Sequence, residues 1–267
     1  MLSSGPRPVG YETQGTGAPI VLLHPFPFAR DIWAGLVDVL AVNHRVIAVD
    51  ARGFGETPLG AAGYSIADLA DDVAGLLDCL DVARAAVLGM SMGGYTALAC
   101  ALRHPARVAA LVLADTRAAA DPPAMRAARD GAISRIRATG SGPYLDGSMA
   151  RLLSTTAPPS LATYLRSWAE DRPESLIAGI EALRDRPDRS AELGAIRCPT
   201  LAIRGTDDQV TPADDMRAMV AAIAGAAFVE IPGAGHLAHL EAPGLFEQAL
   251  MPFLASRLTD KLKGDPT

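Results

Sequence analysis

Short, continuous apolar runs alternate with amphipathic segments through the first 115 residues of the chain. The runs have the length of a strand and are apolar at successive positions, a pattern typical of parallel strands that are buried on both faces. We predict an edge strand at residues 9–13 and buried strands at residues 20–23, 45–49, 85–88 and 108–113.

The segments between these runs have their apolar residues at helical spacing. Ser65 and Asp68 have the spacing of a capping box, and a single apolar stripe of helical period follows them up to Leu80. Further helices are predicted at residues 32–40 and directly after Gly94. The regular order of strand and helix predicts an α/β fold with a mostly parallel central sheet, right-handed crossovers and flanking helices.

The pattern changes at residue 116, because from there to residue 197 the apolar positions keep helical spacing and no strand-like run occurs. Strand-like runs return at residues 199–203 and 226–231. We therefore predict an α/β core of residues 1–115 and 199–267 and a helical cap of residues 116–198. Such an insertion would cover the edge of the sheet where strands end and ligands bind. The alternative is a helical segment that packs elsewhere.

Composition and charge restrict the partners of the protein. The 267 residues carry a net charge of −6 with scattered Lys and Arg, which does not favour nucleic-acid binding. No apolar run approaches the ~20 residues of a membrane span, and the first residues lack the layout of a signal peptide. Cys79, Cys100 and Cys198 have the apolar surroundings of buried, reduced thiols. We expect a cytoplasmic protein with a small-molecule substrate; the sequence indicates no oligomeric state.

The candidate chemistry centres on residues 89–94, which read Gly-Met-Ser-Met-Gly-Gly between a predicted strand and a predicted helix. A serine with glycines two residues before and after it is the nucleophile-elbow pattern. The turn is so tight that Ser91 must adopt a strained backbone and that side chains at Gly89 and Gly93 would collide with neighbouring backbone. The helix from Met92 would direct its free N–H groups at the group that Ser91 attacks.

A serine hydroxyl needs a general base to act as a nucleophile. His236 is the best candidate, because it lies on a Gly-rich loop directly after the last predicted strand. His24 follows the first buried strand, whereas His44 precedes a strand and His104 ends a helix, so both lie away from the carboxyl ends of the strands. His239 is predicted to pack or to form a hydrogen bond within the next helix.

The base in turn needs a carboxylate that orients its ring. Asp207 and Asp208 follow the strand at residues 199–203, and Asp115 at the end of the strand before the cap is the rival candidate. The chain order of Ser91, Asp208 and His236 is the order expected after a nucleophile elbow.

Together these motifs resemble the α/β-hydrolase superfamily over nearly the whole chain. The resemblance is to the esterase and lactonase branch that includes 3-oxoadipate enol-lactone hydrolases and cofactor-free haloperoxidases or perhydrolase-like esterases. It rests on the elbow, on His-Pro-Phe-Pro at 24–27, Asp-Ala-Arg-Gly-Phe-Gly at 50–55, Gly-Thr-Asp-Asp-Gln-Val-Thr-Pro at 205–212 and Gly-His at 235–236.

The resemblance implies an α/β-hydrolase fold with its helical cap inserted after the sixth strand. It also implies that Asp208 is the triad acid and that Asp207 is exposed. Asp50 and Arg52 would brace their loop, and His24 would be structural. No metal or organic cofactor is implied.

One departure from the family pattern concerns the oxyanion hole, the pair of backbone N–H groups that binds the developing negative charge. The family commonly has His-Gly after the first buried strand, whereas this chain has Pro25 after His24. Proline has no N–H, so Phe26 is the only donor between Pro25 and Pro27. Phe26 and Met92 are therefore the predicted donors.

These residues predict a serine hydrolase that cleaves a carboxylic ester or lactone of a small substrate through an acyl-enzyme. Two alternatives stay open at this point. The first is a non-hydrolytic enzyme that uses the same site for acyl transfer, cyclisation or cleavage of a C–C bond. The second is a receptor-like protein that binds a ligand in the pocket. The sequence does not identify the substrate.

Overall fold

A central sheet of seven strands organises the computed structural model, which describes residues 9–61, 63–169 and 172–258 of the chain. The strands are β1 (Tyr11–Gln14), β2 (Ala18–Leu23), β3 (His44–Val49), β4 (Ala85–Met90), β5 (Val108–Ala114), β6 (Thr200–Gly205) and β7 (Ala227–Ile231). Their order in the sheet is β1-β3-β2-β4-β5-β6-β7. All neighbouring pairs are parallel except β1 and β3, which are antiparallel.

Helices connect the parallel strands. The α-helices are α1 (Ala34–Leu40), α2 (Ile66–Cys79), α3 (Met92–Arg103), α4 (Pro123–Thr139), α5 (Gly142–Met149), α6 (Pro159–Trp168), α7 (Pro173–Asp185), α8 (Ala213–Ala222), α9 (Ala238–Glu241) and α10 (Pro243–Leu258). Short 3-10 turns lie at Arg30–Trp33, Pro105–Arg107, Ala150–Leu152 and Ser190–Ala195.

The strand predictions are confirmed for the buried strands, and the physical reason is visible in β4. All six of its residues are buried, as expected for a central strand that is covered by helices on both faces. The edge strand is displaced by two residues relative to the predicted start and is exposed along its length. The capping box is also confirmed, because the Asp68 N–H donates to Ser65 Oγ (3.2 Å) and the Ser65 N–H donates to Asp68 Oδ2 (2.8 Å).

The described residues between β5 and β6 contain helices and turns but no strand, as the sequence predicts. Within this segment α4 packs against α5 and α7, and α5 packs against α6. The segment follows β5, the fifth strand of the described chain, and not a sixth strand as the resemblance implies. Only one described strand, β1, precedes β2, the first of the parallel strands. The assignment of residues 116–198 as a separate cap stays a prediction.

The cysteine prediction is wrong at one position. Cys100 is buried and Cys198 is half-buried, but Cys79 is exposed at the end of α2. Burial raises the pKa of the Cys100 thiol to about 12, so this thiol stays protonated at neutral pH. None of the described helices is long and apolar enough to cross a membrane.

The connection from β4 to α3 lies unusually close to the rest of the sheet. A Cβ atom at Gly93 would lie 2.0 Å from the carbonyl oxygen of Leu23, and one at Gly89 would lie 2.0 Å from the carbonyl oxygen of Gly93. Both clashes are with backbone, which cannot rotate away as a side chain can. The first turn of α3 can pack on the end of β2 only because both positions are glycine.

We expect Gly93→Ala to lower the free energy of unfolding by about 3 kcal/mol, because an added methyl group in a tightly packed site forces the backbone to move. Urea denaturation followed by circular dichroism measures the change. The matched control is Gly75→Ala within α2, where an added Cβ meets no atom within 4 Å. This variant should gain about 0.5–1 kcal/mol from helix propensity. Equal stability of the two variants would contradict the packing argument.

Candidate active site

Loops from four parallel strands meet at one edge of the sheet. β2, β4, β5, β6 and β7 are successive neighbours that run in the same direction, so their carboxyl ends lie along one edge. Phe26 follows β2, Ser91 follows β4, Asp208 follows β6, and His236 follows β7. This is the edge at which open α/β sheets bind ligands.

Ser91 lies at the tip of the turn between β4 and α3 in a backbone conformation that is rare for a residue with a side chain. Its φ is 51° and its ψ is −112°. Hydrogen bonds hold the strained residue in place. Its N–H donates to Ala114 O (3.0 Å), and its carbonyl oxygen accepts from the Tyr95 N–H (3.0 Å) and from Thr116 Oγ1 (3.0 Å). The strained backbone that the sequence predicts is therefore present.

His236 and Asp208 form a buried pair. His236 Nδ1 lies 2.9 Å from Asp208 Oδ2, and each side chain is at most 1% exposed. The other carboxylate oxygen of Asp208 accepts from the N–H groups of Val210 (2.7 Å) and Thr211 (3.1 Å). Burial acts to raise the pKa of Asp208, but the charge and hydrogen bond of His236 and the two N–H groups outweigh burial and lower this pKa.

Hydrogen bonds connect the loop that carries His236 to the helical segment between β5 and β6. The carboxylate of Glu241 accepts from the N–H groups of Gly235 (2.9 Å) and Ser154 (2.9 Å), and the His236 N–H donates to Leu152 O (3.1 Å). No local sequence pattern points to Glu241, since only the fold brings residues 152–154 next to this loop.

Ser91 and His236 line one cavity with a volume of about 230 Å³. Phe26 and Pro27 form part of its wall, and residues of α4, α5 and α7 form the opposite side. Among the described residues, no acceptor pairs with the N–H of Phe26, and the N–H of Met92 is the first of α3 and has no partner within the helix. Both predicted oxyanion-hole donors are therefore available.

His24 braces the loop that carries Phe26. Its Nε2 accepts from the Ala51 N–H (2.9 Å), so its Nδ1 carries the proton and donates to Pro25 O (3.0 Å). Burial lowers the pKa of His24, in keeping with this neutral tautomer.

Asp50 and Arg52 brace the neighbouring loop. The buried carboxylate of Asp50 accepts from the N–H groups of Arg30 (2.8 Å) and Glu56 (3.0 Å) and pairs with the Arg30 guanidinium. Arg52 forms an ion pair with Asp72 (2.6 Å).

The other histidines lie away from the cavity wall. The His239 ring packs at 4.5 Å from Trp33, and burial lowers the pKa of His239 to about 3. His104 contacts Asp71 (2.7 Å) near the surface, and His44 is buried at the start of β3.

Two further carboxylates, Asp207 and Asp115, lie near Asp208 in the sequence or in the structure. Asp207 was predicted to be exposed, but it is half-buried because its turn lies against the His236 loop. Its N–H donates to Ala234 O (2.9 Å) in that loop, and its side chain accepts from Thr206 Oγ1 (3.0 Å). Asp115, the rival acid, is buried at the end of β5 and accepts from the Gly205 N–H (2.8 Å), but its other oxygen has no partner within the described structure.

The pKa of Asp115 is raised well above its ordinary value, first by burial and then by the nearby charge of Asp208. The carboxylate that contacts the His236 ring is Asp208. The catalytic roles of these residues stay predictions. Among the described residues, no group of three or more His, Cys, Asp or Glu side chains could hold a metal ion.

Comparison with known proteins identifies the fold. Residues 18–243 match the family model of the alpha/beta hydrolase fold, which confirms the predicted fold class. Two solved structures are similar over most of both chains. A thermophilic esterase from Thermogutta terrifontis, with malate bound, is 35% identical with a TM-score of 0.89 and covers 94% of each chain. The enol-lactonase from Burkholderia xenovorans LB400 is 30% identical with a TM-score of 0.85, over 92% of this chain and 96% of that chain.

A curated relative is similar in sequence. The pimeloyl-[acyl-carrier protein] methyl ester esterase of Aeromonas hydrophila is 34% identical over 220 residues, which are 76% of this chain and 82% of the relative. The resemblance to an esterase and lactonase branch is confirmed by these matches.

We expect Asp115→Asn to retain the folded structure and to change the pH dependence of the free energy of unfolding. The raised pKa of Asp115 means that the protonated side chain is favoured in the folded state. Its contribution to stability is complete below the unfolded-state pKa of about 3.9 and is lost as pH rises through the folded-state pKa. Asparagine is neutral at every pH, so the stability of the variant relative to the wild type should increase from pH 5 to pH 8. Urea denaturation at both pH values tests this, and a constant difference would contradict a raised pKa.

Proposed function

The chain belongs to the alpha/beta hydrolase fold family, and on that basis we propose that it cleaves a carboxylic ester or lactone of a small substrate through a Ser91 acyl-enzyme. One observation carries the proposal: Ser91 and His236 line the same cavity, and a buried Asp208 holds the His236 ring. The esterase and lactonase relatives support carboxylic ester hydrolysis as the activity.

The first step is attack on the substrate carbonyl. Because Nδ1 of His236 donates to Asp208, the second ring nitrogen, Nε2, is unprotonated in the neutral ring and accepts the Ser91 proton. Ser91 Oγ then forms a bond to the carbonyl carbon, and the carbonyl electron pair moves to its oxygen. The negative charge of Asp208 stabilises the imidazolium that forms.

The developing oxyanion is bound by the N–H groups of Phe26 and Met92. Both are unpaired among the described residues, and Met92 also supplies the positive end of α3. One such donor contributes about 3–4 kcal/mol to the stability of the transition state. His24 supports this step indirectly, because its hydrogen bond to Pro25 O fixes the backbone directly before Phe26.

Collapse of the tetrahedral intermediate breaks the bond to the alkoxy oxygen, which leaves with the proton from His236. Water then gives a proton to His236 and attacks the acyl-enzyme, and a second collapse releases the acid and restores Ser91. In a lactone the leaving oxygen stays in the same molecule, so the product is a hydroxy acid.

The helical segment of residues 116–198 is proposed to act as a cap over this reaction. Its helices α4, α5 and α7 supply one side of the cavity, and Leu152 and Ser154 hold the His236 loop. A cover of this kind separates the bound substrate from bulk solvent, which strengthens the electrostatic interactions within the site. The small-molecule substrate is consistent with a cavity of about 230 Å³. Cytoplasmic location stays a prediction.

We expect a fluorophosphonate to add once to the wild-type protein and not to Ser91→Ala, because only an activated serine reacts with it. Intact-mass spectrometry measures the adduct, and circular dichroism of both proteins controls for folding. The same variant should lose at least about 10³-fold in the hydrolysis of an aryl ester. A folded wild-type protein that forms no adduct would contradict the proposal and favour the receptor-like alternative.

We expect Asp208→Asn to lower kcat by about 10³- to 10⁴-fold, because the amide stabilises the wrong tautomer of the base. The matched control is Asp207→Asn, which removes the same charge from the adjacent position and should keep kcat within about twofold. Steady-state kinetics on an aryl ester compares the two. The role of Asp208 would be refuted if both variants retained wild-type kcat.

A further inference from the structure

The loop that ends at His236 is held through its backbone. Each backbone N–H group of residues 233–236 donates a hydrogen bond within the described structure. The acceptors, in chain order, are Thr206 Oγ1 (2.8 Å), Ile231 O (3.4 Å), Glu241 Oε1 (2.9 Å) and Leu152 O (3.1 Å). Glu241 supplies the one charged acceptor of these four. Because the His236 ring is carried by this backbone, the acceptors limit where the ring can lie.

The carboxylate of Glu241 bridges two segments that are far apart in the chain. Glu241 is the last residue of α9, and its Oε1 accepts from the Gly235 N–H directly before His236. Its Oε2 accepts from the Ser154 N–H (2.9 Å) in the helical segment between β5 and β6. Ser154 is buried, so its N–H has no ready access to water if this acceptor is lost. One side chain therefore joins the His236 loop to that segment.

Both partners of the Glu241 carboxylate are backbone N–H groups. No basic side chain of the described residues forms an ion pair with it. The carboxylate thus serves as two acceptors, and its negative charge strengthens both hydrogen bonds. A glutamine side chain has one acceptor oxygen and one NH₂ donor, so it could satisfy only one of the two N–H groups. The arrangement therefore requires a carboxylate and not just a polar side chain.

The His236 loop is tightly enclosed on two sides. A Cβ atom at Gly235 would lie 2.3 Å from the backbone nitrogen of Ser154. On the side of β6, a Cβ atom at Gly205 would lie 2.2 Å from the carbonyl oxygen of Gly235. The loop therefore lies directly between the end of β6 and the segment of Ser154, and a shift of that segment would move it.

We propose that Glu241 is a positioning residue, whose carboxylate fixes the backbone before His236 so that the ring can accept the Ser91 proton. This inference rests on the proposed function, because it concerns the predicted base of the same reaction. Glu241 does not line the cavity of Ser91, and it acts through the Gly235 N–H. Asp208 orients the imidazole ring, whereas Glu241 holds the backbone that carries the ring. A displacement of about 1 Å can lower a rate about 10²-fold, so such a contact matters for catalysis.

The first test compares Glu241→Gln with the matched control Glu247→Gln. Glu247 lies in α10, and its carboxylate has no hydrogen-bond partner among the described residues, so the control removes the same charge without loss of a bond. With an aryl ester, Glu241→Gln should lower kcat about tenfold and keep KM within about twofold. Labelling of Ser91 by a fluorophosphonate should slow by a similar factor, and the control should retain wild-type values.

Circular dichroism at the assay temperature establishes that both variants are folded, so a loss of stability alone would leave kcat unchanged. If Glu241→Gln retains the wild-type kcat, or if it changes only KM, the positioning role is overturned while ester hydrolysis stands.

Chemical rescue tests the requirement for a carboxylate. Glu241 lines a surface groove of about 680 Å³ that is separate from the cavity of Ser91 and that Ser154 and Gly233 also line. Glu241→Ala should lower kcat about 10²-fold, and acetate that enters from this groove should raise it again about tenfold. Acetamide has a single acceptor oxygen and should not raise kcat. Rescue by neither compound, or equal rescue by both, would contradict the proposal.

A magnetic resonance measurement separates this inference from the proposed function. The Nδ1 proton of His236, which is hydrogen-bonded to Asp208, is observed without turnover and is assigned by its loss in His236→Gln. Glu241→Gln should shift this resonance and speed its exchange with water about tenfold, whereas Glu247→Gln should not. These changes support the positioning role even where no ester is cleaved. A wild-type resonance and exchange rate in Glu241→Gln overturn it whether or not the wild type hydrolyses esters.

Discussion

The close packing of α3 against the end of β2 is the constraint on which the rest of the site depends. A Cβ atom at Gly93 would lie only 2.0 Å from Leu23 O, so glycine at this position lets the start of α3 lie directly against the end of β2. The same turn forces Ser91 into its strained conformation, which hydrogen bonds with Ala114 at the end of β5, Thr116 after β5 and Tyr95 in α3 maintain. Ser91, the N-terminus of α3 and the loop of Phe26 are thus positioned by backbone packing and not by side-chain choice.

The electrostatics at this edge of the sheet depend on partners more than on residue type. Asp115 and Asp208 are both buried carboxyl groups, yet their pKa values move in opposite directions. Asp208 has an imidazole and two N–H groups as partners, whereas Asp115 has one N–H and an oxygen without a partner. Desolvation alone favours the neutral acid, so a carboxylate stays charged in this interior only where several donors surround it.

The helical segment between β5 and β6 serves two parts of the site at once. Leu152 and Ser154 hold the loop of His236 with the help of Glu241, while Arg151, in the same turn, faces the cavity. A movement of this turn would therefore change both the position of His236 and the charge that lines the cavity.

The sequence by itself determined the features that depend on local pattern. The buried strands follow from continuous apolar runs, α2 follows from its capping box and stripe, and the elbow follows from the two glycines around Ser91, since each signal lies within a few residues. His236 and the available donor at Phe26 could also be predicted, because chain order fixes which loops follow which strands. Only the tertiary structure decided which carboxylate forms a hydrogen bond with His236 and that Glu241 accepts from the loop of His236. It also decided that Asp207 is half-buried and that Cys79 is exposed. It alone placed Arg129 and Arg135 of α4 and Arg151 of the turn at Ala150–Leu152 around one cavity. These features rest on contacts between segments far apart in the chain, and no local pattern records which side chains such packing brings together.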